Sequence, residues 1–561
     1  MYPLEKFRDD IKSVIAEYKK IKKDEVVLAK PPQGIPADLA YPCFGLAKRE
    51  KRDPVEFALT TVEKIKPRGL ISRIEANGPY INFYADWSKM GSLVLNGIIK
   101  EKNAYGKGKK KNKILVEHTS ANPDGPLHLG HFRNTVIGDS LARILRFYGH
   151  EVKTDFYVND TGRQITLASW MYLQNEPKPK GKLDWWVYDL YFKCNQKLKT
   201  NPSIENEITD MMLKFENGDK ELRKTHEFIV DQCLKGHKET LESIGIKIDR
   251  FSKESEFLFT GKVDDVLKKI LKTKEGKSSG KRVWVDLKQF KIEREFTLTR
   301  SDGTTIYPAR DLAYHADKFE RADQNINIIG TDQKFYFKQL TSTLGLLFPK
   351  KTENYHVLFY EFLLLPEGTM STRLGKFISV DELVKKFTET ARKSIEIKNP
   401  KYSTKFKDDI AKMVGIGALK YAMIKVSPEK TYSFSVDDSL NFEGNTAPYI
   451  QYTHARASSI LQKAGSSKHV IKYIGEEEKQ VMNKLMEFPY AVKRASKEYR
   501  PHIIANYAYD LATSFNNFYH SVPVLKAEKD LIGTRLAIVK AAQIVLKTSL
   551  DLLGIEAPDK M

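Results

Sequence analysis

Apolar residues recur every three to four positions over residues 1 to about 20. Leu4, Phe7, Ile11, Val14, Ile15 and Tyr18 share one stripe, which predicts an amphipathic helix. A Pro/Gly-rich loop follows, "AKPPQGIPADLAYP", and then a second helix near 54–66. The text "SRIEANGPYINFYAD" alternates apolar and polar positions and predicts strands. These elements make a small α+β unit over residues 1–110, ending in the Gly/Lys-rich connector "YGKGKKKNK".

From residue 111 the pattern changes. "KILVEH" is a short β-branched run, followed by a turn-rich loop and a helical stripe from about 129 to 148: Phe132, Val136, Ile137, Leu141, Ile144, Leu145 and Tyr148. Gly149 stands where a C-terminal cap belongs, and "EVKTDFYVND" is the next strand. Strand, helix, strand is a βαβ unit, so residues 111–400 are expected to hold a parallel α/β sheet. Residues from about 170 to 290 are polar and read as an irregular insertion with helical patches. Sheet-like text returns at "VWVDL", "FTLTR", "NINIIGTD" and "HVLFYEFLLL". The greasiest run, "VLFYEFLLLP", is short and holds Glu361, which predicts one buried strand and no membrane span. Residues 401–561 read as helical throughout, with stripes near 446–464, 502–520 and 534–553. The fold class expected is multidomain, with the α/β sheet between an α+β and an all-α unit.

Composition adds a partner class. With 561 residues, 41% hydrophobic, the chain can build several cores. Its formal net charge of +21 suits a polyanion such as nucleic acid. Cys43, Cys194 and Cys233 form no CxxC pair, which argues against a disulfide framework or a Cys-rich zinc site and fits a reducing compartment. The charged N-terminal text is no secretory signal, so a soluble, cytoplasmic protein is expected.

The chemistry concentrates in "VEHTSANPDGPLHLGHFRN", Val116 to Asn134. In a parallel sheet, ligands sit where strands end and helices begin, and free N–H groups at a helix start attract phosphate. Gly130 would let a ligand approach the backbone, and His128 and His131 could donate to phosphate oxygens. A metal reading needs a third ligand in a familiar spacing, and none stands nearby. On residues alone a phosphate site, a metal site and structural histidines all stay open.

"SANPDGPLHLGH" resembles the HIGH motif of class I aminoacyl-tRNA synthetases in the form used by arginyl-tRNA synthetases. "PCFGLAK", "GPYINF", "NDTGRQI", "YPARDLAYHADKF", "GTDQKFYF", "MSTRLGKFISVDEL", "GNTAPYIQYTHARASSIL" and "LLGIEAPDKM" resemble that family in the same order, so the likeness covers nearly the whole chain. It implies a Rossmann-like catalytic domain at 111–400, a tRNA-contacting N-terminal domain at 1–110 and an anticodon-binding helical domain at 401–561.

The resemblance also implies site residues. Glu117, Tyr307 and Asp311 match positions around the substrate guanidinium, for which carboxylates are the natural acceptors, while Ser120, Asn122 and Gln333 match positions that hold the amino-acid end. Pro126, His128, Gly130, His131, Met370 and Ser371 match ATP-binding positions, with His128 and His131 stabilising the reacting phosphate. The "MSTRLGK" segment departs from the family's KMSKS loop: Thr369 and Thr372 stand at its lysine positions. Gly125 stands where some arginyl enzymes carry a compensating lysine, which leaves Arg373 and Lys376 as substitute cations. Tyr80, Asn82 and Phe83 are candidate tRNA contacts in the N-terminal domain, and Tyr452 and Arg456, four apart on a helix, could hold an anticodon base. The partners implied are ATP with Mg2+, L-arginine and tRNA(Arg), with no dedicated protein metal site and a monomeric chain. The family also implies that activation waits for bound tRNA.

Overall fold

The computed structural model describes residues 2–32, 34–364, 377–465, 471 and 474–561. Met370, Ser371, Arg373 and Lys376, together with Thr369 and Thr372, lie outside the described residues.

The first stripe forms the helix Pro3–Lys19, with Phe7, Ile11 and Ile15 fully buried. It packs with the helix Pro54–Lys64, capped by the Asp53 carboxylate, against an antiparallel sheet of Leu39–Pro42, Tyr80–Ala85 and Ile71–Asn77. This sheet corrects two expectations. Asn82 and Phe83 sit on its middle strand opposite Ala40 and Leu39, and both are buried, so neither can reach tRNA. Alternation alone does not say which strand is central. Tyr80, at the strand's start, is half-buried and meets the exposed Phe44 ring edge-on at 5.8 Å.

The main sheet is five-stranded and parallel throughout. Its order is Tyr355–Tyr360, Gln324–Gly330, Lys113–Glu117, Glu151–Val158, Arg250–Lys253. Chain order reverses beside Lys113–Glu117, so the loop leaving that strand opens at the switch point of the sheet, where such folds bind ligands. The helix Leu129–Phe147 crosses behind it, and Gly149 takes φ +99° just past its end, a conformation that favours glycine.

Three features depart from the sequence reading. Residues 170–290 are far from irregular. The helices Arg163–Asn175, Leu183–Thr200, Ile204–Glu216 and Lys220–Ser243 pack their own apolar core around Trp186, Leu190 and Ile229. The same span supplies the edge strand Arg250–Lys253 to the main sheet. The run "VLFYEFLLLP" is not one strand. Its strand ends at Tyr360, the Glu361 N–H turns to the Pro428 carbonyl at 2.9 Å, and Phe362 is left exposed. Leu363–Leu364 then pairs with Tyr432–Ser433.

The helical part runs from Thr404–Ile424 to Lys529–Leu552, and the residues after it follow a groove without regular structure. Their carbonyls are taken one after another by side chains. Ser140 donates to Leu553 at 3.3 Å, Lys420 to Gly554 at 2.6 Å and Gln451 to Glu556 at 2.8 Å, and the His454 ring meets Pro558 at 3.0 Å. Burial of the Lys420 ammonium pulls it down to about 8. Among the described residues no helix is long and apolar enough to cross a membrane.

Candidate active site

The strand Lys113–Glu117 delivers its chain into a strained turn. Thr119 and Ser120 take φ +70° and +39°, left-handed values that side-chain-bearing residues rarely hold in succession. Asn134 overdetermines the turn: its Oδ1 accepts from the Thr119 N–H and its amide donates to the Ile328 carbonyl, both at 2.7 Å. The loop is thereby tied to the strand across the switch point.

His128 is the N-cap of the following helix. Its Nδ1 accepts from the Gly130 N–H at 3.2 Å, and the Nδ1 of His131 accepts from the His128 N–H at 3.5 Å. A ring nitrogen that accepts from an amide carries no proton, so this pattern assigns the proton of each ring to Nε2. The two rings stack at 3.7 Å between centroids, a distance at which two imidazoliums would repel. Burial pulls His128 down to about 4, and burial with the neighbouring His128 and His237 pulls His131 well down. At neutral pH the pair is a set of uncharged donors. Main-chain bonds fix it from the other side: the Leu129 N–H donates to the Ile378 carbonyl and the Val380 N–H to the Leu127 carbonyl. Beneath the loop the buried His237 ring meets the Gly125 carbonyl at 2.7 Å. Together with Asn122, Asp124, Gln164, Tyr188 and Phe377, the histidines enclose a cleft of about 120 Å³.

A buried polar network flanks this site. On the helix Tyr307–Arg321, Asp311, His315 and Lys318 follow at i, i+4 and i+7 and share a face. The Asp311 carboxylate accepts from the Tyr336 hydroxyl at 2.6 Å and meets His315 Nδ1 at 3.0 Å. Burial pushes that carboxyl up, but the charge and hydrogen bond of His315, the Tyr336 hydroxyl and the charge of Lys318 outweigh it and leave it below the ordinary range. Arg310 turns away, onto Glu254 and Glu216. Glu117 is buried and already engaged. Its Oε2 accepts from Lys318 at 2.5 Å and Asn327 at 2.7 Å, and Ser120 Oγ approaches its Oε1 at 3.4 Å. Tyr307 is 55% exposed at the mouth, and its ring is 5.2 Å from that of Tyr336. Asn122 donates to Gln164 at 3.3 Å, and the exposed Gln333 donates to Asp332 at 2.7 Å. Pro126 is buried in the loop and Gly130 lies beside the His128 ring.

A second site lies in the helical part. Tyr452 is 42% exposed, and the Arg456 guanidinium lies 4.9 Å from the centre of its ring while donating to Asn516 at 2.5 Å. They line a cleft of about 660 Å³ with Tyr449, Phe442 and His520.

Residues 94–436 match the profile of the class I tRNA synthetases (R), catalytic domain, which is more than half of the chain. The chain belongs to the class I arginyl-tRNA synthetases. The profile of the arginyl tRNA synthetase N terminal domain matches residues 5–85 and that of the DALR anticodon binding domain residues 450–561. The arginine–tRNA ligase of Methanosarcina barkeri is 43% identical over 94% of this chain and 94% of its own length. That of Methanocaldococcus jannaschii is 41% identical over 92% and 93%. The solved arginyl-tRNA synthetase of Thermus thermophilus superposes with a TM-score of 0.82 at 29% identity, covering 98% of this chain and 99% of that one.

Sequence reasoning missed His315, Lys318, Asn327 and Tyr336. The i, i+4, i+7 spacing in "RDLAYHADK" was the available signal for the first two. Nothing local marks Asn327 or Tyr336, which reach the site by pairing and packing of distant segments.

Proposed function

We propose that the chain activates L-arginine with ATP and transfers it to the terminal adenosine of tRNA(Arg), in the cytoplasm and as a monomer. One observation carries the substrate choice. Asp311 is buried and ionised at neutral pH, and among the described residues no lysine or arginine lies at ion-pair distance from it. Its negative charge is available to an incoming guanidinium, with Tyr307 at the mouth and Glu117 deeper in the network. Ser120, Asn122 and Gln333 receive the amino-acid end.

The arginine carboxylate attacks the α-phosphate, giving arginyl-adenylate and pyrophosphate, and the 2′-hydroxyl of the terminal adenosine then takes the arginyl group. The Nε2–H groups of His128 and His131 donate to the phosphate oxygens on which charge grows, with Gly130 and the first N–H groups of the helix close by. Neither histidine acts as a nucleophile. The cleft presents oxygen donors and no thiolate, a donor set that fits the magnesium carried by the nucleotide, which supplies positive charge to the triphosphate. Tyr452 and Arg456 receive an unpaired anticodon base, and Tyr80 contacts tRNA at the other end.

Aminoacylation measured with arginine, ATP and cognate tRNA tests the reading. Charging with arginine supports it. Charging with another amino acid, or tRNA binding with no charging, overturns it.

A further inference from the structure

The cleft around the two histidines has an unusual charge inventory. Its described lining holds Asp124, His128, His131, Asn122 and Gln164 among its polar members, and neither lysine nor arginine. The histidines are neutral at working pH, so they give hydrogen bonds but no charge. The single ionisable carboxyl is that of Asp124. Burial raises it to about 6, with only a backbone N–H opposing the rise, so it is still mostly ionised at neutral pH. No cationic side chain pairs with it among the described residues. The neighbouring residue is Gly125, and Arg373 and Lys376, the substitute cations that the resemblance implies, lie outside the described residues.

A triphosphate carries about four negative charges at neutral pH, and a fixed carboxylate in its cradle repels it. That arrangement costs affinity unless a cation lies between the two. A divalent metal between carboxylate and phosphate inverts the local electrostatics. Magnesium is the ion whose habit matches: hard oxygen donors, one or two carboxylates, the substrate phosphates and several retained waters.

We propose that Asp124 anchors the divalent cation that enters with ATP, directly or through a water, so that a metal supplies positive charge in a cleft whose described lining has no lysine or arginine. This rests on the reading of the cleft as the ATP site. Asp124 acts on the reaction through the metal and the phosphates, and His128 and His131 remain the groups that touch the reacting phosphorus.

The test is ATP binding to the full chain by calorimetry, without arginine or tRNA, in chelator and in excess magnesium. Wild type should bind ATP about tenfold or more tightly with magnesium. Asp124→Asn should lose most of that stimulation, and its metal-free affinity should be unchanged or higher, because a repulsive charge is gone. Asp124→Glu should restore the stimulation. Manganese, read by its paramagnetic resonance signal with ATP and enzyme, should report an immobilised metal in wild type and Asp124→Glu and a nucleotide-only signal in Asp124→Asn. Equal magnesium stimulation in wild type and Asp124→Asn overturns the proposal and leaves the ATP site standing. Absence of any ATP binding to wild type, with or without metal, overturns the underlying reading as well.

Discussion

Asp311→Asn isolates the charge of the specificity pocket. The change keeps the shape and the bond from Tyr336, which an amide oxygen still accepts, and replaces the carboxylate oxygen that meets His315 Nδ1. It removes the negative charge that a guanidinium would meet. The side chain is 13% exposed, so solvent screens the interaction little. Breaking one partner of a buried pair costs about 3–5 kcal/mol. At about 1.4 kcal/mol per decade, KM for arginine should rise roughly 10²-fold to a few thousandfold. KM for ATP should stay within a factor of about two, because Asp311 is outside the histidine cleft. Steady-state aminoacylation with labelled arginine reads both constants. Citrulline, whose ureido group is the neutral shape of a guanidinium, supplies a control: discrimination against it should shrink by a similar factor. Stability carries a second signature. The folded carboxyl is held below its unfolded value, so its stabilisation is present above about pH 4 and disappears as pH falls through the folded value. The Tm deficit of the variant should follow that course. An unchanged KM for arginine, or an equal rise in KM for ATP, would refute the reasoning.

His131→Ala should lower kcat roughly 10²-fold or more with little change in KM for arginine, and an unaffected kcat would remove the ring from the chemistry. His226 is buried against Phe215 with neither ring nitrogen bonded, and burial pulls it down to about 4. Its unfolded form takes a proton near pH 6.5, so this group costs stability progressively as pH falls from about 6.5 to 4. His226→Phe should therefore gain in Tm over wild type across that window, and a gain that does not vary with pH contradicts the assignment. Tyr452→Ala should raise KM for tRNA about tenfold to a hundredfold, the worth of one stacked base, with no change in Tm. Pyrophosphate exchange with arginine and ATP should be negligible until cognate tRNA is added, as the resemblance implies, and full exchange in an RNA-free preparation would refute that expectation.

Much of this was legible in the chain. The stripe from Phe132 to Leu145 and the glycine after it marked the signature helix almost to its ends, because one buried face and one cap decide such an element. The histidines were visible as a motif, but their neutral state was not. That depends on two backbone N–H groups and on burial, which only the folded loop supplies. Residues 170–290 looked irregular because their apolar positions serve a private core spread over several helices, each with a narrow stripe. Asn82 and Phe83 were misjudged because they point to opposite faces of a strand that a motif does not mark as the middle one, buried on both sides. Glu117 was found as a carboxylate, but its bond to Lys318 joins residues 201 apart, beyond any local pattern.

The order of the catalytic sheet has a consequence for how the chain is made. Glu117 and Asn327 are 210 residues apart, yet their strands are neighbours at the centre of the sheet. A ribosome adding about 5–20 residues per second needs roughly 10–40 s to deliver the second strand after the first. Through that interval the nascent chain carries the apolar run Ile114–Val116 with one edge unpaired, which is the condition that invites strand-to-strand aggregation. The central seam of this protein thus stays open until Gln324–Gly330 has been made, and only the pairing of Tyr355–Tyr360 onto that strand comes later. Shielding of that edge during synthesis is therefore a requirement separate from the stability of the finished fold.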